Sequence, residues 1–399
     1  MTNEQKNVPE LRFPEFDGEW EEKKFGEFTK TNQGLQIAIS DRKTEFSPEL
    51  YFYITNEFLK PNSKTHYYIS NPPDSVIANE NDILMTRTGN TGKVITGVKG
   101  AFHNNFFKIQ FDQSEYNRLF LFEVLNSPKI KNKILSLAGT STIPDLNHSD
   151  FYSISSYYPI INEQQKIGDF FSKLDRQIEL EEQKLEKLKE QKKGYMQQIF
   201  SRQFLFENEK GDTDYSWRNF KINDIFSKIE SGNRLPKTNL VEGNIPYVIA
   251  QTTNNGVFMH ISEDTLDYHK NKLKLFKKGS ITISIDNPEA MFIQEMDFFT
   301  SNVMRVIHNE NLKRGSHIFI MESLKKLTQS YNWSVKFSGP IIMDSTVKFP
   351  VYNDNKVNWN VVNKIGDFFN TFEIRINRQS DKIKLLEERK KGFLQKMFV

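Results

Sequence analysis

The chain has 399 residues, a net charge of +3 and no cysteine. This length allows two hydrophobic cores, and the lack of cysteine excludes disulfides and thiolate metal sites and fits a reducing cytosol. No window approaches the roughly 18 consecutive apolar residues of a membrane span, and residues 1–16 contain no apolar run, so we expect a cytoplasmic protein without a signal peptide. The small net charge excludes the broad basic field of proteins that bind nucleic acid alone. Nucleic acid is therefore either not the ligand or is held by local patches together with partner proteins.

Residues 1–160 are predicted to form a first mixed α/β module. Its short apolar or alternating runs, punctuated by turn residues, are typical of strands, and its longer periodic run is typical of a helix. Gly89–Gly92 is expected to form a hairpin turn. In chain order, the predicted elements are an opening helix over Trp20–Phe28, strands over Tyr51–Ile54, Asp82–Thr86, Val94–Val98 and Phe106–Phe111, a helix over Tyr116–Leu137 and a strand over Phe151–Tyr158.

Residues 161–203 carry a heptad pattern that predicts a long helix. Steps of alternately four and three residues from Ile167 meet apolar side chains at every position except Glu181 and Lys192. A seam sustained over more than four heptads is typical of a coiled coil, whose narrow apolar stripe requires a partner helix. Asn162 and Gln165 are predicted to form the capping box at its start.

The second half of the chain repeats the first. Residues 204–358 follow the order of the first module more loosely, with a helix over Phe319–Trp333, and residues 359–399 repeat the long helix. The segment Lys166–Phe171 (KIGDFF) recurs letter for letter as Lys364–Phe369, 198 positions later. The framework positions of the two modules match while their loops diverge, which suggests that both do the same kind of work on different targets.

Chain connectivity determines how the two long helices pair. The second module leaves the first helix at its C-terminal end and enters the second at its N-terminal end, so antiparallel pairing needs no return path. We therefore predict an α+β fold, with two similar mixed α/β domains separated by two long antiparallel helices that form an intramolecular coiled coil in a pseudo-two-fold repeat.

Three signatures of catalysis or metal binding are incomplete. Asn71–Asp74 (NPPD) lacks the aromatic residue with which amino-methyltransferases hold a flipped base, and no Gly-rich cofactor loop precedes it. Gly89–Lys93 lacks the spacing and the following helix of a phosphate-binding loop. The seven histidines show no metal-ligand spacing. The sequence thus predicts neither catalytic residues nor a metal site in this chain.

The loops of both modules carry polar side chains suited to the edges of DNA bases. Arginine reads guanine bidentately, asparagine and glutamine read adenine, and Lys93 is placed to contact a phosphate. Asparagine and threonine are also ordinary turn formers, and for any single loop residue that role is the more frequent one. The predicted DNA-binding residues are Arg87, Asn90, Lys93, Asn104, Asn105, Thr140, Ser141, Thr142, Arg234, Gln251, Thr252, Asn254, Asn287, Asn302 and Arg305.

The segment Tyr158–Ile167 (YPIINEQQKI), the run Lys192–Phe200 (KKGYMQQIF) and the loop Gly139–Pro144 (GTSTIP) carry a family resemblance. Over essentially its full length, the chain resembles the specificity subunits of Type I restriction-modification systems. The resemblance implies target-recognition domains at residues 1–160 and 204–358, a central conserved helix at 161–203 and a C-terminal conserved helix at 359–399. It implies a non-catalytic DNA-binding subunit whose domains each read one half of a bipartite target, with the coiled coil as a spacer ruler.

The resemblance also implies partners. These are double-stranded DNA, two methyltransferase subunits and restriction/translocase subunits, with no membrane involved. S-adenosylmethionine, ATP and Mg would be bound by the partner subunits and not by this chain. The second half departs from the pattern, because Val361–Asn363 replaces Glu163–Gln165 and the GTSTIP loop is reduced to Ser338–Ile341, so the second docking surface is expected to be weaker or differently shaped. The residues expected to dock the methyltransferase are Glu163, Gln164, Gln165, Lys192, Lys193, Tyr195, Lys390, Lys391 and Phe393.

Two interpretations from other classes stay open. A coiled-coil scaffold that presents two protein-binding modules would show no sequence-selective DNA binding, even with a methyltransferase present. A stand-alone DNA methyltransferase would bind cofactor as a purified chain, although the missing Gly-rich motif argues against it.

Overall fold

The computed structural model describes residues 7–60, 63–139 and 142–399. The chain divides into two compact units. The first unit consists of Met1–Gln183 with Ser380–Val399, and the second consists of Lys184–Gln379. Each unit therefore combines a mixed α/β part with a portion of each long helix.

The first unit is built mostly from short strands. Its strands are β1 (Glu21–Lys24), β2 (Thr29–Gln33), β3 (Leu50–Ile54), β4 (Tyr68–Ser70), β5 (Ile77–Ala78), β6 (Ile83–Thr86), β7 (Val94–Ile95), β8 (Gly100–Phe102), β9 (Phe106–Phe111) and β10 (Ser155–Tyr158). Its helices are α1 (Phe25–Phe28), α2 (Arg118–Asn126), α3 (Pro128–Leu137), α4 (His148–Ser153) and the long helix α5 (Ile161–Phe200), which continues into the second unit; short 3-10 helices cover Ile39–Asp41 and Asp74–Val76.

Two four-stranded sheets carry the first unit. One has the strand order β2-β9-β6-β7 and is antiparallel throughout, and the other has the order β4-β3-β8-β5 with β3 and β8 parallel. All four residues of β6 are buried, as expected for an apolar central strand. A separate antiparallel pair, β1 with β10, connects the beginning and end of the α/β part.

The second unit contains a matching set of elements. Its strands are β11 (Ser216–Lys221), β12 (Glu230–Ser231), β13 (Glu242–Val248), β14 (Val257–Ile261), β15 (Ile281–Ser284), β16 (Met291–Ile293), β17 (Phe299–Thr300), β18 (Met304–Ile307) and β19 (Thr346–Val351). Its helices are α6 (Arg314–Thr328), α7 (Gly339–Asp344) and the long helix α8 (Trp359–Lys396), which continues into the first unit; short 3-10 helices cover Ile222–Asp224, Lys237–Asn239 and Asn254–Gly256.

The sheets of the second unit repeat those of the first. The order β12-β18-β15-β16 matches β2-β9-β6-β7, the order β14-β13-β17 matches β4-β3-β8, and the pair β11-β19 matches β1-β10. The parallel contact recurs as well, between β13 and β17. This repeat confirms the predicted fold class of two similar α/β domains joined to long helices.

Aromatic contacts show that the long helices pair antiparallel. In the first unit, the ring centre of Phe171, near the start of α5, lies 5.9 Å from that of Phe398, which follows the end of α8. In the second unit, the ring centre of Tyr195, near the end of α5, lies 5.2 Å from that of Phe368, near the start of α8. Every predicted seam position on both helices is buried or half-buried, so the heptad pattern predicted the contact stripe correctly.

Several predicted elements differ from the structure because tertiary contacts override local pattern. The predicted strand over Phe151–Tyr158 is wrong in its first part, because Phe151–Ser153 belongs to helix α4 and the strand begins at Ser155. The predicted strand over Val94–Val98 is shorter, Val94–Ile95, and the predicted helix over Phe319–Trp333 is Arg314–Thr328.

The predicted helix over Trp20–Phe28 is wrong in its first part, because Glu21–Lys24 instead pairs as β1 with β10. The predicted helix over Tyr116–Leu137 is two helices, α2 and α3. Ser127 separates them and accepts a hydrogen bond from the Ile130 amide, with Pro128 at the first position of α3.

The start of α5 also differs from its prediction. The helix begins at Ile161, so Asn162 lies within its first turn, and the Glu163 and Gln164 amides donate to the Ile160 carbonyl. The predicted capping box is therefore wrong. At the start of α8, by contrast, the Asn358 side chain accepts a hydrogen bond from the Val361 amide at 3.2 Å.

Candidate nucleic-acid interface and helix contacts

At one edge of the β2-β9-β6-β7 sheet lie five of the predicted DNA-binding residues of the first unit, Arg87, Asn90, Lys93, Asn104 and Asn105. Directly after β6, the Arg87 amide donates to the Asn105 carbonyl at 2.7 Å, and the Leu146 amide donates to the Arg87 carbonyl at 3.0 Å. The Thr91 hydroxyl donates to the Pro144 carbonyl at 2.7 Å. Three loops distant in sequence thereby meet at one place: the β6–β7 turn, the β8–β9 turn and the segment before α4.

The Arg87 side chain is held by the protein itself. Its guanidinium forms two hydrogen bonds with the Asp145 carboxylate, at 3.0 and 2.6 Å, and lies 5.5 Å from the ring centre of Phe107. The hydrogen bond from Arg87 lowers the pKa of Asp145. This pair uses Nε and Nη2, which form one edge of the guanidinium. A bidentate contact with guanine must therefore use the Nη1–Nη2 edge or replace Asp145.

Asn104 and Asn105 lie in the β8–β9 turn, beside two glutamines, Gln33 and Gln36, that were not among the predicted DNA-binding residues. The Asn104 amide group donates to Gln36 at 3.1 Å, and Gln33 donates to the Asn104 carbonyl at 3.1 Å. Gln33 directly precedes Gly34, and Gln36 follows it two positions later. A Cβ at Gly34 would lie 2.2 Å from the Phe102 carbonyl, and its repeat partner Gly232 lies equally tightly against the backbone of Thr300. This repeated glycine was the sequence signal that could have located the two glutamines.

Asn90 and Lys93 line a cavity of about 410 Å³ between the β6–β7 turn and α3. Lys131 of α3 lines the same cavity. Burial, followed by the nearby charge of Lys93, lowers the pKa of Lys131. Two lysines near one opening create a local positive patch that the net charge of the chain does not reveal. Lys131 was not among the predicted DNA-binding residues, because those were chosen from loops and Lys131 lies in a helix.

The loop before α4 is described only in part. Thr140 and Ser141 lie outside the described residues, and Thr142 is exposed. The prediction for these three residues stays a prediction.

The second unit forms the same loop junction with different side chains. The Ile285 amide donates to the Val303 carbonyl at 3.1 Å, and the Phe337 amide donates to the Ile285 carbonyl at 2.9 Å. Ile285 and Val303 lie 198 positions after Arg87 and Asn105. The structure thus keeps the backbone connections of the junction while the side chains presented there change.

Asn287, Asn302 and Arg305 surround this second junction. The Asn287 side chain accepts from the Glu289 amide at 3.0 Å and so shapes its own turn. Arg305 donates to the carbonyls of Asn302 and Met304, each at 3.0 Å. Asn302 is exposed, which leaves its amide group at the surface of the turn between β17 and β18.

The remaining predicted residues of the second unit lie on adjacent loops. Arg234 is exposed, with its guanidinium 4.9 Å from the ring centre of Tyr268. Gln251 and Asn254 both donate to the Val257 carbonyl, at 2.7 and 3.1 Å. Thr252, between them, is exposed. These contacts order the loop that follows β13.

The predicted docking residues at the start of α5 are largely committed to intramolecular contacts. Glu163 is fully buried and accepts two hydrogen bonds of 2.7 Å from Arg12. Hydrogen bonding to Glu163 is the main cause that raises the pKa of Arg12. Gln164 is buried, accepts from the Asn117 amide and donates to the Pro159 carbonyl. Gln165 is exposed and accepts from the Asn117 side chain.

The docking residues at the far ends of the helices divide into two groups. Lys192 and Lys390 are mostly buried, at 13% and 19% side-chain exposure, and form ion pairs within their units. Lys193 and Lys391 beside them are exposed. Tyr195 packs on Phe368, and Phe393 packs on Phe170 at 5.1 Å. The docking set therefore offers a partner chiefly Gln165, Lys193 and Lys391, and its docking role stays a prediction.

The described ranges contain neither a cluster of metal-binding side chains nor a helix that could span a membrane. Residues 7–60, 63–139 and 142–399 contain no cluster of three or more His, Asp or Glu side chains suited to a metal ion. No helix in the described part of the chain combines the length and apolar character that a membrane span requires.

Comparison with known proteins gives a consistent result. The sequence model described as Type I restriction modification DNA specificity domain matches residues 17–190 and again residues 215–383, which together cover most of the chain. The Type I restriction enzyme MjaVIII specificity subunit of Methanocaldococcus jannaschii is 26% identical over 296 residues, or 71% of this chain and 67% of that protein. The Type II restriction enzyme BgcI specificity subunit S.BcgI of Heyndrickxia coagulans is 28% identical over 144 residues, or 35% of this chain and 40% of that protein.

A solved structure shares the fold over the whole chain. The crystal structure of a Type I restriction-modification system S subunit from M. genitalium matches with a TM-score of 0.63 and 17% sequence identity. The match covers 98% of this chain and 99% of that one.

Proposed function

The chain belongs to the family of Type I restriction-modification DNA specificity subunits, and from this premise we propose that each of its two recognition domains reads one half of a bipartite double-stranded DNA target. The role is recognition and not catalysis. The observation that carries the proposal is the loop junction that both units build with the same backbone hydrogen bonds and different side chains. Such a junction supports one mode of DNA binding applied to two different base sequences.

The coiled coil acts in this proposal as a ruler between the half-sites. Each long helix has about 40 residues and at about 1.5 Å per residue extends roughly 55–60 Å. Half-sites on one face of B-DNA lie about 34 Å apart per helical turn, which helices of this length can span. Lengthening the helices should therefore lengthen the unread spacer.

The chemistry belongs to the partners. Two methyltransferase subunits would dock on the helices and use S-adenosylmethionine to methylate adenine, and restriction/translocase subunits would use ATP and Mg to move along and cleave unmodified DNA in the cytoplasm. A nearly neutral chain supports this division of labour, because partners that supply most phosphate contacts make a basic specificity subunit unnecessary.

Methylome sequencing of the host with and without this gene tests the proposal. We expect one bipartite methyladenine motif to disappear when the gene is deleted. The scaffold interpretation predicts an unchanged methylome. Cofactor binding by the purified chain would instead support a stand-alone methyltransferase.

The ruler is tested by inserting one heptad after Leu188 of α5 together with one at the same level of α8. Because Lys192 pairs with Glu373, the matching site in α8 lies about one turn after Glu373. Seven residues add roughly 10 Å, so we expect the unread spacer to grow by about three base pairs. An unchanged spacer in the methylated motif would show that the coiled coil does not act as a ruler.

A further inference from the structure

A mostly buried lysine joins three helices in the first unit. Lys390 of α8 donates to Asp175 of α5 at 2.7 Å and to Glu123 of α2 at 3.2 Å. The Glu123 side chain is only 3% exposed, so its carboxylate meets the lysine inside the protein. Glu123 thereby ties the α/β part of the unit to both long helices.

The second unit builds the same arrangement from other residues. Lys192 of α5 donates to Glu373 of α8 and, at 3.0 Å, to Glu322 of α6. The Glu322 side chain is 1% exposed. The two lysines are 198 positions apart and the two buried glutamates 199 positions apart. The helices that carry these glutamates otherwise differ in sequence, RLFLFEVLN against RGSHIFIMESLKKLT. What recurs in both units is therefore the position of the buried carboxylate beside the lysine of a long helix.

Each of these helices touches its long helix at a second point. A Cβ at Gly168 of α5 would lie 2.8 Å from the Leu119 Cβ of α2, and a Cβ at Gly366 of α8 would lie 1.7 Å from the Gly315 carbonyl of α6. The glycine contact and the glutamate contact are four residues apart on α2 and seven apart on α6, or about 6 and 10 Å. One contact would allow the helix to pivot, whereas two contacts along it fix its direction.

We propose that Glu123 and Glu322 are positioning residues that fix the direction in which each recognition domain leaves the coiled coil, and so determine the spacer length accepted between the half-sites. This inference rests on the proposed function. A buried ion pair adds little net stability compared with an apolar side chain of similar size, but a buried carboxylate separated from its partner is strongly disfavoured. Where Glu123 is ionised, above about pH 7, orientations that pull it away from Lys390 while it stays buried are therefore penalised, whereas an apolar contact would tolerate a small rotation.

The test replaces both glutamates by methionine, an apolar side chain of similar length. The E123M/E322M variant leaves Lys390 paired with Asp175 and Lys192 paired with Glu373. The full chain is assembled with its methyltransferase subunits and offered DNA duplexes that carry both half-sites at graded spacer lengths. We expect the preference for the native spacer over one that is longer by a base pair to fall about tenfold, or about 1.4 kcal/mol. The midpoint of urea unfolding should stay the same or rise.

The matched control is E181M. Glu181 is also buried and pairs with Lys382, but this ion pair joins α5 to α8 and not to a domain helix. We expect E181M to keep the wild-type spacer preference. The inference is overturned if E123M/E322M keeps that preference, or if E181M loses it equally. A wild-type complex that methylates no bipartite target would overturn the proposed function and this inference together, whereas a wild type with a fixed spacer and an unaltered E123M/E322M variant overturns the inference alone.

Discussion

Several side chains predicted to read bases are held by contacts within the protein. Arg87 is paired with Asp145, Arg305 donates to two carbonyls, and Gln251 donates to Val257. Such contacts order the loops before DNA arrives, which lowers the entropic cost of binding. They also use part of the hydrogen-bonding capacity of each side chain, so residue type alone could not identify which of these side chains contacts DNA.

Lys131 is the residue that the structure adds to the candidate DNA interface. Together with Lys93 it lines the cavity beside the β6–β7 turn, where a DNA phosphate could be held. Each phosphate contact releases counterions, so we expect K131A to lower affinity at every salt concentration and to reduce the slope of log affinity against log salt by about one. The measurement is a salt titration of binding by the complex assembled with its methyltransferase subunits.

The control for Lys131 is K133A, which removes an exposed lysine from the same helix. It should leave the salt slope unchanged. The methylated motif should also be the same in both variants, because phosphate contacts carry no base sequence. A wild-type slope in K131A would exclude a phosphate contact at this lysine.

The raised pKa of Glu123 predicts that the free energy of unfolding depends on pH. Burial raises its pKa from 4.5 to about 7, against the opposing charge of Lys390. A carboxyl group that binds its proton more tightly in the folded state stabilises that state fully below pH 4.5, and this contribution is lost as the pH rises through about 7. Relative to E123Q, the wild type should therefore lose up to about 3 kcal/mol of unfolding free energy across that window.

The same substitution in the other ion-pair cluster supplies a control of opposite sign. Burial disfavours the charged form of Glu373, but Lys192 outweighs it and the net pKa is lowered. Relative to E373Q, the wild type should lose stability as the pH falls below about 4.5. Urea midpoints measured from pH 3 to 8 test both variants, and parallel curves for wild type and E123Q would contradict the raised pKa of Glu123.

At the level of elements, the glycine of the repeated KIGDFF segment explains a close helix crossing. Gly366 of α8 lies against the backbone of Gly315, so a methyl group at position 366 must push α6 away. We expect G366A to lower the unfolding free energy by about 1–3 kcal/mol, the usual cost of overpacking. G168A should act in the same direction in the first unit, where its methyl would meet Leu119 and Phe120.

Gly392 of α8 is the matched control. It is also helical, but a Cβ there has no neighbouring atom within 4 Å in the described part of the chain. G392A should therefore stabilise the protein by about 0.5–1 kcal/mol, because alanine loses less backbone entropy than glycine in a helix. Destabilisation of equal size in G392A and G366A would show that the crossing is not the cause.

The long helices were the most predictable elements and the short ones the least. A heptad seam depends on spacing within one helix, so its period predicted the contact stripe of α5 and α8. Glu21–Lys24 became a strand because β10 pairs with it, and this partner lies more than 130 positions away. Lys192 was recognised as a polar break in the seam, and Lys390 is its counterpart 198 positions later. Their carboxylate partners on α2 and α6 required the tertiary structure.

At the level of the whole molecule, duplication was evident from sequence and its functional consequence was not. The repeat of 198 positions predicted two similar domains, and the sheet orders of the two units confirm that similarity. The domain boundaries at 160, 203 and 358 stay predictions. The bases that each domain prefers depend on loop conformation and DNA deformation, which neither the repeat nor the loop composition determines.

The most direct test exchanges one recognition domain. Residues 1–160 are replaced by the corresponding part of another specificity subunit whose target is known, and the methylome of the host is sequenced. We expect one half of the bipartite methyladenine motif to change to that of the donor while the other half stays the same. A motif that changes in both halves, or in neither, would contradict the assignment of one half-site to each domain.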